Sequence, residues 1–485
     1  MAPLQDVDML IIGAGISGLG MACQMRRKFP NLSFSVVEKR AQHGGTWDLF
    51  KYPGIRSDSP MQSFAYSWHP WSKLSIRASA SEILWYQKGV MKKYDLDADV
   101  IAYNTAIKTL KFNTTTCLWT ATTEDPDVSY TARFVYAGTG YYDQEKGYIP
   151  DFKGVDDFKG EVLQPMHWPE NFSCEGKDVV IIGSGSSAVT IAPAICDVAM
   201  SVTVVQRSPG YVVNQPGRLR FNPLMQRLLS WFPPLFRLYT RCYRFVSVFM
   251  NQYEYWLATR FPNFAQKMVL QAATDEVGED VVTQHFTPKY NVWDQRVCVA
   301  SDGDLFQGIK AGKIRYVTDT IDTFTEDGLR LTRGDEYKAD VIVSATGMTL
   351  EIFGKIDVFV DREPFVVNNS IMYRSIMFSG LPNLFYGLGA TNQSWTVKVE
   401  FALKVIEDIM KYMDYYEYKT CVLNKTTTDI REGDVPLNSG YFTRNRDKLP
   451  KLGLDAPFHW GLYVIHDYFS YFWNPISRDP SLTFA

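Results

Sequence analysis

Two short apolar runs form the strongest pattern along the chain, and the first lies at residues 9–12. Every position in this run is apolar, as in a buried parallel strand. Three glycines follow with the spacing G-x-G-x-x-G, and a helical stretch at residues 19–28 comes next. Such a turn lets the backbone approach a pyrophosphate and directs the amides of the helix N-terminus at its charge. The predicted dinucleotide-binding turn consists of Gly13, Gly15, Ser17 and Gly18.

The next predicted strand, FSVVEK, carries a carboxylate near its end. This residue is Glu38, twenty residues after Gly18. A carboxylate at this place accepts hydrogen bonds from ribose hydroxyls and repels a 2′-phosphate. The first turn is therefore predicted to bind FAD or NAD rather than NADP.

The second apolar run, DVVIIG at residues 178–183, repeats the plan. A G-x-G-x-x-A turn and a helix at residues 187–196 follow it. The strand SVTVVQ then leads to an arginine and a serine where the first unit has its glutamate. Because a guanidinium beside a hydroxyl suits a phosphate dianion, this turn is predicted to bind NADPH. The predicted contacts are Gly183, Gly185, Ser186, Ser187, Arg207 and Ser208.

A single glycine-rich turn can be merely a tight connection between a strand and a helix. In this chain the strand, the glycine spacing, the helix and the acceptor residue agree twice, which favours the functional interpretation. The sequence thus predicts an α/β fold with two Rossmann-like dinucleotide-binding domains, one for FAD and one for NADPH. The length of 485 residues is typical of two or three domains.

Composition excludes several other classes of function. A net charge of −3 argues against nucleic-acid binding. The seven cysteines contain no C-x-x-C pair and the six histidines show no ligand spacing, so no redox dithiol and no metal site are predicted. Scattered cysteines suit the reducing cytoplasm. No uncharged apolar window of 18 residues is present, so a membrane-spanning helix is not expected.

Two further segments match longer sequence fingerprints. Residues 44–58, GGTWDLFKYPGIRSD, match the pattern [AG]-G-x-W-x4-[FY]-P-[GM]-x3-D. Residues 158–169, FKGEVLQPMHWP, match most of F-x-G-x3-H-x3-W-[PD], with Gln164 at the histidine position. Both fingerprints belong to the Baeyer–Villiger monooxygenases, which are class B flavoprotein monooxygenases, and the chain resembles this family. The segments 293–298 and 340–348 are also similar to family segments, and the sequence is most like that of the ethionamide-activating group.

The resemblance implies a division of the chain into five segments. The FAD domain would comprise residues 1–142 and 378–485, and the NADPH domain residues 150–214 and 297–377. A helical insertion would occupy residues 215–296.

The resemblance also implies roles for individual residues. Arg296 would lie over the flavin and stabilise a negatively charged intermediate, and Asp58 would hold it in a bidentate pair; a purely structural ion pair is the alternative. Gln295 stands where many members of the family have a lysine for the NADP phosphate. The remaining expected cofactor contacts are Gly45, Thr46 and Trp47 at the flavin, Arg56 at NADP and Trp395 at the nicotinamide side.

The implied reaction is the NADPH- and O2-dependent conversion of ketones to esters or lactones, with sulfide oxygenation as a side activity. Because Gln164 breaks the second fingerprint, two alternatives stay open. One is a flavin monooxygenase that oxygenates mainly nitrogen or sulfur. The other is an uncoupled NADPH oxidase or a flavin-binding protein.

Residues 224–250 are rich in aromatic side chains and carry three arginines, Arg237, Arg241 and Arg244, at helical spacing. One interpretation is a helical insertion that lines a substrate tunnel. The other is an interfacial helix that contacts a membrane without spanning it.

Overall fold

The computed structural model describes residues 5–97, 99–390, 392–426, 432–433, 438–459 and 463–485, and two sheets form its frame. In chain order the strands are β1 (Asp6–Ile12), β2 (Phe34–Val37), β3 (Ile101–Ala102), β4 (Ile107–Asn113), β5 (Leu118–Thr123), β6 (Ser129–Ala137), β7 (Glu161–Leu163), β8 (Asp178–Ile182), β9 (Ser201–Gln206), β10 (Val212–Gln215), β11 (Cys298–Ser301), β12 (Ile314–Thr318), β13 (Ile321–Thr325), β14 (Gly328–Leu331), β15 (Glu336–Lys338), β16 (Val341–Ser344), β17 (Asp357–Val360), β18 (Glu363–Pro364), β19 (Met372–Tyr373), β20 (Met377–Phe378), β21 (Leu384–Tyr386), β22 (Cys421–Leu423), β23 (Glu432–Gly433), β24 (Leu452–Gly453) and β25 (Leu482–Phe484).

The helices lie mainly between the strands and in one long helical segment in the middle of the chain. In chain order they are α1 (Ile16–Lys28), α2 (Thr46–Leu49), α3 (Met61–Phe64), α4 (Ala80–Lys93), α5 (Ser186–Ile195), α6 (Pro223–Trp231), α7 (Pro233–Arg260), α8 (Pro262–Val277), α9 (Glu279–His285), α10 (Asp304–Lys310), α11 (Trp395–Tyr415), α12 (Gly440–Thr443) and α13 (Val464–Trp473). Thus α6 to α9 fall within the segment 215–296 that the resemblance assigns to a helical insertion.

The first sheet has the strand order β18-β17-β4-β5-β6-β1-β2-β3, and β21 also pairs with β6. Strand β1 lies between two parallel neighbours, β2 and β6. Its side chains alternate between two cores: Met9 and Ile11 belong to one, Leu10 and Ile12 to the other. Because both faces of the strand are covered at residues 9–12, these four positions are all apolar, which explains the first run in the sequence.

The second sheet has the strand order β12-β9-β8-β16-β7, and all of its pairs are parallel. Strand β8 is buried in the same manner as β1. Val179 and Ile181 face one core, while Val180 and Ile182 face the other. Each glycine-rich turn follows a buried strand that lies between two parallel neighbours, β1 in the mixed first sheet and β8 in the parallel second sheet. This arrangement confirms the predicted fold class.

Two strands differ from the expected division of the chain. Residues 357–364, expected in the second domain, form β17 and β18, and β17 pairs with β4 of the first sheet through Val358 and Leu110. The chain therefore rejoins the first sheet before residue 357 rather than at 378. The segment DVFV is a short apolar strand that either sheet could accommodate, so its partner depends on long-range packing.

Two chain segments cross between the domains and are hydrogen-bonded to each other. The outgoing segment at 141–148 runs antiparallel to the returning segment at 347–351. The backbone amide of Asp143 donates to the carbonyl of Thr349 at 2.9 Å, and that of Tyr148 donates to Gly347 at 3.1 Å. The connection between the domains is thus a double crossing.

Over the residues that the structure describes, no helix combines the length and the apolar character needed to cross a membrane.

Candidate active site

One large cavity lies between the two glycine-rich turns and has a volume of about 1320 Å³. It is lined from both domains and from the double crossing. Of the cofactor-binding and catalytic residues predicted from the sequence, Gly18 alone does not line it. Those that do are Gly13, Gly15, Ser17, Glu38, Gly45, Thr46, Trp47, Arg56, Asp58, Gly183, Gly185, Ser186, Ser187, Arg207, Ser208, Arg296 and Trp395.

The first turn places the N-terminus of α1 at the cavity. Gly13 has a φ of +98°, a conformation that favours glycine. Gly18 packs beneath the turn, since a Cβ there would lie 1.8 Å from the carbonyl oxygen of Gly13. No side chain caps α1, and its first turn has no acidic residue. The amides at this end are therefore available to an anion.

Glu38 lies at the C-terminal end of β2 and is held by backbone donors. Its carboxylate accepts the amide of Ala14 at 2.7 Å and the amide of Arg40 at 3.0 Å. The Nε and Nη1 atoms of Arg40 are buried without hydrogen-bond partners, although its Nη2 donates to the carbonyl of Gly45 at 2.5 Å. A held carboxylate and unused guanidinium donors beside a helix N-terminus fit the ribose and phosphates of FAD.

Gly45 brings the first fingerprint segment against the first turn. Its φ is +58°, and a Cβ there would lie 2.9 Å from the Cα of Gly15. Because the obstacle is backbone on both sides, the contact leaves no room for a side chain. The close approach fixes the start of α2, whose Thr46 and Trp47 line the cavity.

Replacing Gly45 by alanine is expected to push the two segments apart. We expect Gly45→Ala to lower the free energy of unfolding by about 1–3 kcal/mol and to reduce the FAD retained after purification. Gly89→Ala is the matched control, because a Cβ at Gly89 in α4 meets nothing within 4 Å. The control should keep full FAD content and gain about 0.5–1 kcal/mol of stability. Equal FAD content in both variants would contradict this assignment.

The second turn differs from the first in the space that it leaves open. A Cβ on Gly183 would lie 2.4 Å from the carbonyl oxygen of Ala345, whereas a Cβ on Gly185 would meet nothing within 4 Å. Gly185 therefore borders open cavity at the uncapped N-terminus of α5. An uncapped helix end facing open space fits the pyrophosphate of a second dinucleotide.

Arg207 follows β9 and shares its end of the cavity with Arg444, which follows α12. The pKa of Arg444 is lowered, first by burial and also by the nearby charge of Arg207. The guanidinium of Arg444 lies 3.6 Å from the ring centroid of Tyr148. Among the described residues, neither arginine forms an ion pair with a carboxylate. Two such cations at one end of a cavity fit the charge of a phosphate group.

Arg296 is solvent-exposed and lines the cavity. Burial lowers the pKa of Arg296, but Tyr141, Tyr142, Tyr441 and Asp58 raise it more, so the net pKa lies above its ordinary value. The side chain is therefore a permanent cation.

The expected bidentate pair between Arg296 and Asp58 does not form in this structure. Asp58 accepts a hydrogen bond from the hydroxyl of Ser186 at 3.0 Å and affects Arg296 only through its charge. Asp58 is instead directed at Ser186, at the start of α5, and Tyr141, Tyr142 and Tyr441 have a larger electrostatic effect on Arg296 than Asp58 has. Asp58 thus connects the first fingerprint to the second dinucleotide turn.

Arg56 and Trp395 have partners that the sequence did not predict. Nη1 of Arg56 pairs with Asp304 of α10 at 2.6 Å, and its Nη2 is buried without a partner. The indole of Trp395 donates to Ser17 at 2.8 Å and stacks on Tyr141, with ring centroids 5.3 Å apart. Contacts of these residues with NADP and nicotinamide stay predictions.

Gln164 follows β7 at the edge of the second sheet and packs over Gly147 of the outgoing crossing segment. Its Nε2 is buried without a hydrogen-bond partner. His167, three residues later, contacts the same segment through the carbonyl of Glu145 at 2.9 Å. The altered fingerprint position therefore lies between a domain and its connection.

Arg444, Tyr141 and Tyr441 were not predicted as site residues. Tyr141 and Arg444 are 303 residues apart in the sequence, and no local spacing connects either of them with a glycine-rich turn. The one available signal was the position of Tyr141 in GTGYYDQ, directly after a predicted strand. Only the folded chain brings the three side chains to the cavity.

One group with metal-ligand chemistry was also missed by the sequence pattern. Ligand atoms of His459, His466 and Asp467 lie within 4.8 Å of one another, away from the cavity. Asp467 is already paired with the buried ammonium of Lys398 at 2.5 Å. The carboxylate is thus neutralised by a lysine, which competes with any cation.

Comparisons with known proteins agree with this geometry. The family model described as pyridine nucleotide-disulphide oxidoreductase matches residues 10–227. In this chain all seven cysteines are free, and Cys298 is the one cysteine among the described residues that line the cavity. The dithiol of such enzymes is therefore not part of the site.

Full-length relatives and solved structures give a more specific match. FAD-containing monooxygenase EthA of Mycobacterium tuberculosis is 36% identical over 468 residues, 96% of this chain and 94% of the relative. Probable FAD-binding monooxygenase AlmA of Acinetobacter baylyi is 38% identical over 459 residues, 93% of this chain and 91% of the relative. An oxidized steroid monooxygenase bound to NADP has a TM-score of 0.78 at 20% identity and covers 99% of both chains. The resemblance seen in the sequence is confirmed: the chain belongs to the family of FAD-containing, class B flavoprotein monooxygenases.

Proposed function

We propose that this protein is a Baeyer–Villiger monooxygenase that converts a ketone to an ester or lactone with FAD, NADPH and O2. One oxygen atom enters the product, and the other leaves as water while NADPH becomes NADP⁺. The observation that carries the proposal is the permanent cation of Arg296 in a cavity shared by two dinucleotide turns. Solved structures of the same fold include a cyclohexanone monooxygenase with bound ε-caprolactone, at 17% identity and a TM-score of 0.76.

Two sets of residues would hold the two dinucleotides. The amides at the start of α1, Glu38 and Arg40 fit FAD, whereas the start of α5, Arg207 and Arg444 fit NADPH. When bound, the flavin supplies activation of dioxygen with electrons from NADPH. The protein supplies the orientation of both rings within one cavity.

Arg296 stabilises negative charge that develops in the cavity during oxygen transfer. A fixed cation is most effective where water is excluded, because its charge is then poorly screened. Burial raises the pKa of Tyr141 and of Tyr441 well above the ordinary value, so both hydroxyls stay protonated. The site therefore combines the positive charge of Arg296 with the neutral hydroxyl groups of Tyr141 and Tyr441.

Asp58 does not neutralise Arg296 through an ion pair, because its carboxylate binds Ser186 instead. Its hydrogen bond with Ser186 leaves the Arg296 guanidinium available to the cavity. Asp58 also anchors the start of α5, where the second dinucleotide would bind. The carboxylate thus links the first fingerprint to the place where NADPH would bind, and it acts on Arg296 through its charge alone.

The proposed substrate is an uncharged ketone or sulfide, since the stacked rings of Tyr141 and Trp395 give the cavity an apolar surface and Tyr141 also acts electrostatically on Arg296. The free cysteines support a cytoplasmic location. Sulfoxidation uses the same cavity and the same oxygen donor, so it is the expected side activity.

A paired-substrate assay tests the proposed function. The purified enzyme is supplied with a ketone and, separately, a thioether of the same size under ¹⁸O₂, and the products are identified by mass spectrometry. We expect an ester that carries one ¹⁸O atom and matches most of the NADPH consumed. Sulfoxide without ester would indicate a sulfur-oxygenating enzyme, and hydrogen peroxide alone would indicate an uncoupled oxidase.

The substitution Gln164→His tests the altered fingerprint position. The Gln164 amide lies against the domain crossing, so we expect histidine to change ketone turnover by less than about tenfold, or 1.4 kcal/mol on the barrier. The measurement is the ratio of ester formed to NADPH oxidised in parent and variant. If only the histidine variant forms ester, the parent is an uncoupled relative and the proposal fails.

A further inference from the structure

The longest helix of the central segment, α7, has an outer face made of large apolar side chains. Leu235, Leu238, Phe245, Phe249, Tyr253 and Trp256 follow one another at intervals of three, four or seven residues and are all exposed. These intervals place them on one stripe of the helix. We call this stripe the apolar face. An ordinary surface helix has polar residues at such positions, so the pattern of α7 is inverted.

The opposite face of α7 is docked on the protein, which fixes the direction of the apolar face. Its buried residues include Phe236, Thr240, Tyr255 and Ala258. Arg244 lies on the docked side: its Nη1 donates to the carbonyls of Ser63 and Ala65 at 2.6 and 2.5 Å, and its Nη2 pairs with Glu400 at 3.1 Å. The helix therefore cannot turn its apolar face inward without breaking these contacts.

Neighbouring helices extend the exposed apolar surface. Trp231 at the end of α6 is 69% exposed, and Phe264 of α8 is 54% exposed. Helix α13 adjoins α7 through Val464, which packs against Val248, and carries Phe472 and Trp473, 73% and 75% exposed. Exposed apolar surface of this extent marks a contact site rather than ordinary protein surface.

The charge around the apolar face identifies what it contacts. Residues 216–268 contain eight lysines and arginines but one acidic residue, whereas the whole chain has 50 basic and 53 acidic residues. Arg237 and Arg241 are exposed on α7, and Arg260 lies at its C-terminus. A stripe of aromatic and aliphatic side chains bordered by arginines is complementary to anionic headgroups above acyl chains.

From this combination, we infer that the apolar face of α7 docks the protein on an anionic phospholipid bilayer. The helix lies in the interface and does not span the bilayer, in agreement with the absence of a spanning helix from the described residues. The apolar face runs from Leu235 to Trp256 and is therefore about 32 Å long. This inference does not rest on the proposed reaction.

Docking would place the wall of the cavity next to the lipid. The backbone carbonyl of Val248 in α7 accepts a hydrogen bond at 3.1 Å from Gln393, which lines the cavity. Arg244 holds the carbonyls on either side of Phe64, another lining residue. Apolar ketones concentrate in bilayers, so this position brings the cavity to its substrate.

The test is co-sedimentation of the full-length holoenzyme with phospholipid vesicles. One set contains phosphatidylcholine alone, and the other contains about 30% phosphatidylglycerol, for which we expect stronger binding that falls as salt rises from about 0.1 to 0.5 M. The variant Phe245→Ser/Phe249→Ser should bind anionic vesicles at least about tenfold more weakly. Arg237→Gln/Arg241→Gln should lose the preference for anionic vesicles.

The matched control is Val198→Ser/Met200→Ser, which removes two exposed apolar side chains from the second domain, 52% and 72% exposed. It should bind vesicles like the parent, and all variants should keep the parent FAD content and melting temperature. Equal binding by the parent to neutral and anionic vesicles, or equal loss in the control, would overturn the inference. The inference would also fail if Phe245→Ser/Phe249→Ser left vesicle binding unchanged and lowered only the molar mass measured by light scattering. The apolar face would then join copies of the chain.

Discussion

Arg296→Ala is expected to lose ester formation by at least about a hundredfold while the protein still folds and binds FAD. The substitution removes the one permanent cation surrounded by Tyr141, Tyr142 and Tyr441 at the cavity wall. NADPH should still be oxidised, because the second dinucleotide turn is untouched. The measurement compares ester and hydrogen peroxide formed per NADPH, and the variant should shift strongly toward hydrogen peroxide.

Two further variants separate the charge of Arg296 from its shape. Arg296→Lys keeps a cation without the planar fork and should recover part of the lost activity. Arg330→Ala removes an exposed arginine that pairs with Asp322 at 3.0 Å on the second domain and should leave turnover at the parent rate. If Arg296→Ala forms ester at the parent rate, the role assigned to the cation is wrong.

Arg207→Ala is expected to raise the KM for NADPH by about ten- to a hundredfold with little change in the use of NADH. The reason is the loss of charge-assisted hydrogen bonds to the 2′-phosphate, worth about 1.5–3 kcal/mol. Arg444→Ala should act in the same direction, because the two guanidiniums face the same end of the cavity. Steady-state kinetics with both nucleotides provide the measurement.

The comparison of the two nucleotides makes this prediction specific. Loss of a residue that only supports the fold would weaken NADPH and NADH alike. Ser208→Ala should raise the KM for NADPH less than Arg207→Ala does, since it removes only a neutral hydroxyl beside Arg207. An equal rise of KM for both nucleotides in Arg207→Ala would show that the arginine does not read the phosphate.

The sequence predicted those parts of the site that are encoded by local spacing. Each glycine-rich turn, together with the residue that ends its second strand, lies within about 30 residues, so its function can be inferred without knowledge of the rest of the fold. Asp58 and Arg56, which belong to the first fingerprint, also line the cavity. Their partners could not be predicted in this way. Ser186 binds Asp58 across 128 positions, and Asp304 binds Arg56 across 248.

The expected division of the chain placed β17 in the wrong domain for a related reason. The sequence of a short apolar strand such as DVFV does not determine which sheet the strand joins. Its pairing depends on the double crossing, which returns the chain to β4 after residue 351. Arg444 escaped prediction similarly, since its position beside Arg207 results from packing between the C-terminal segment and the second domain.

The double crossing has a consequence for the order in which the molecule can form during synthesis. The second sheet uses strands from residues 161–344 only, so it can assemble as soon as that stretch has emerged from the ribosome. The first sheet must wait for β17 and for β21 at Leu384–Tyr386, although its first strand is made at the beginning. Until then β4 and β6 each expose an unpaired edge. The domain whose first strands are made before those of the second sheet is therefore completed after it, and its unpaired edges are open to aggregation during this delay.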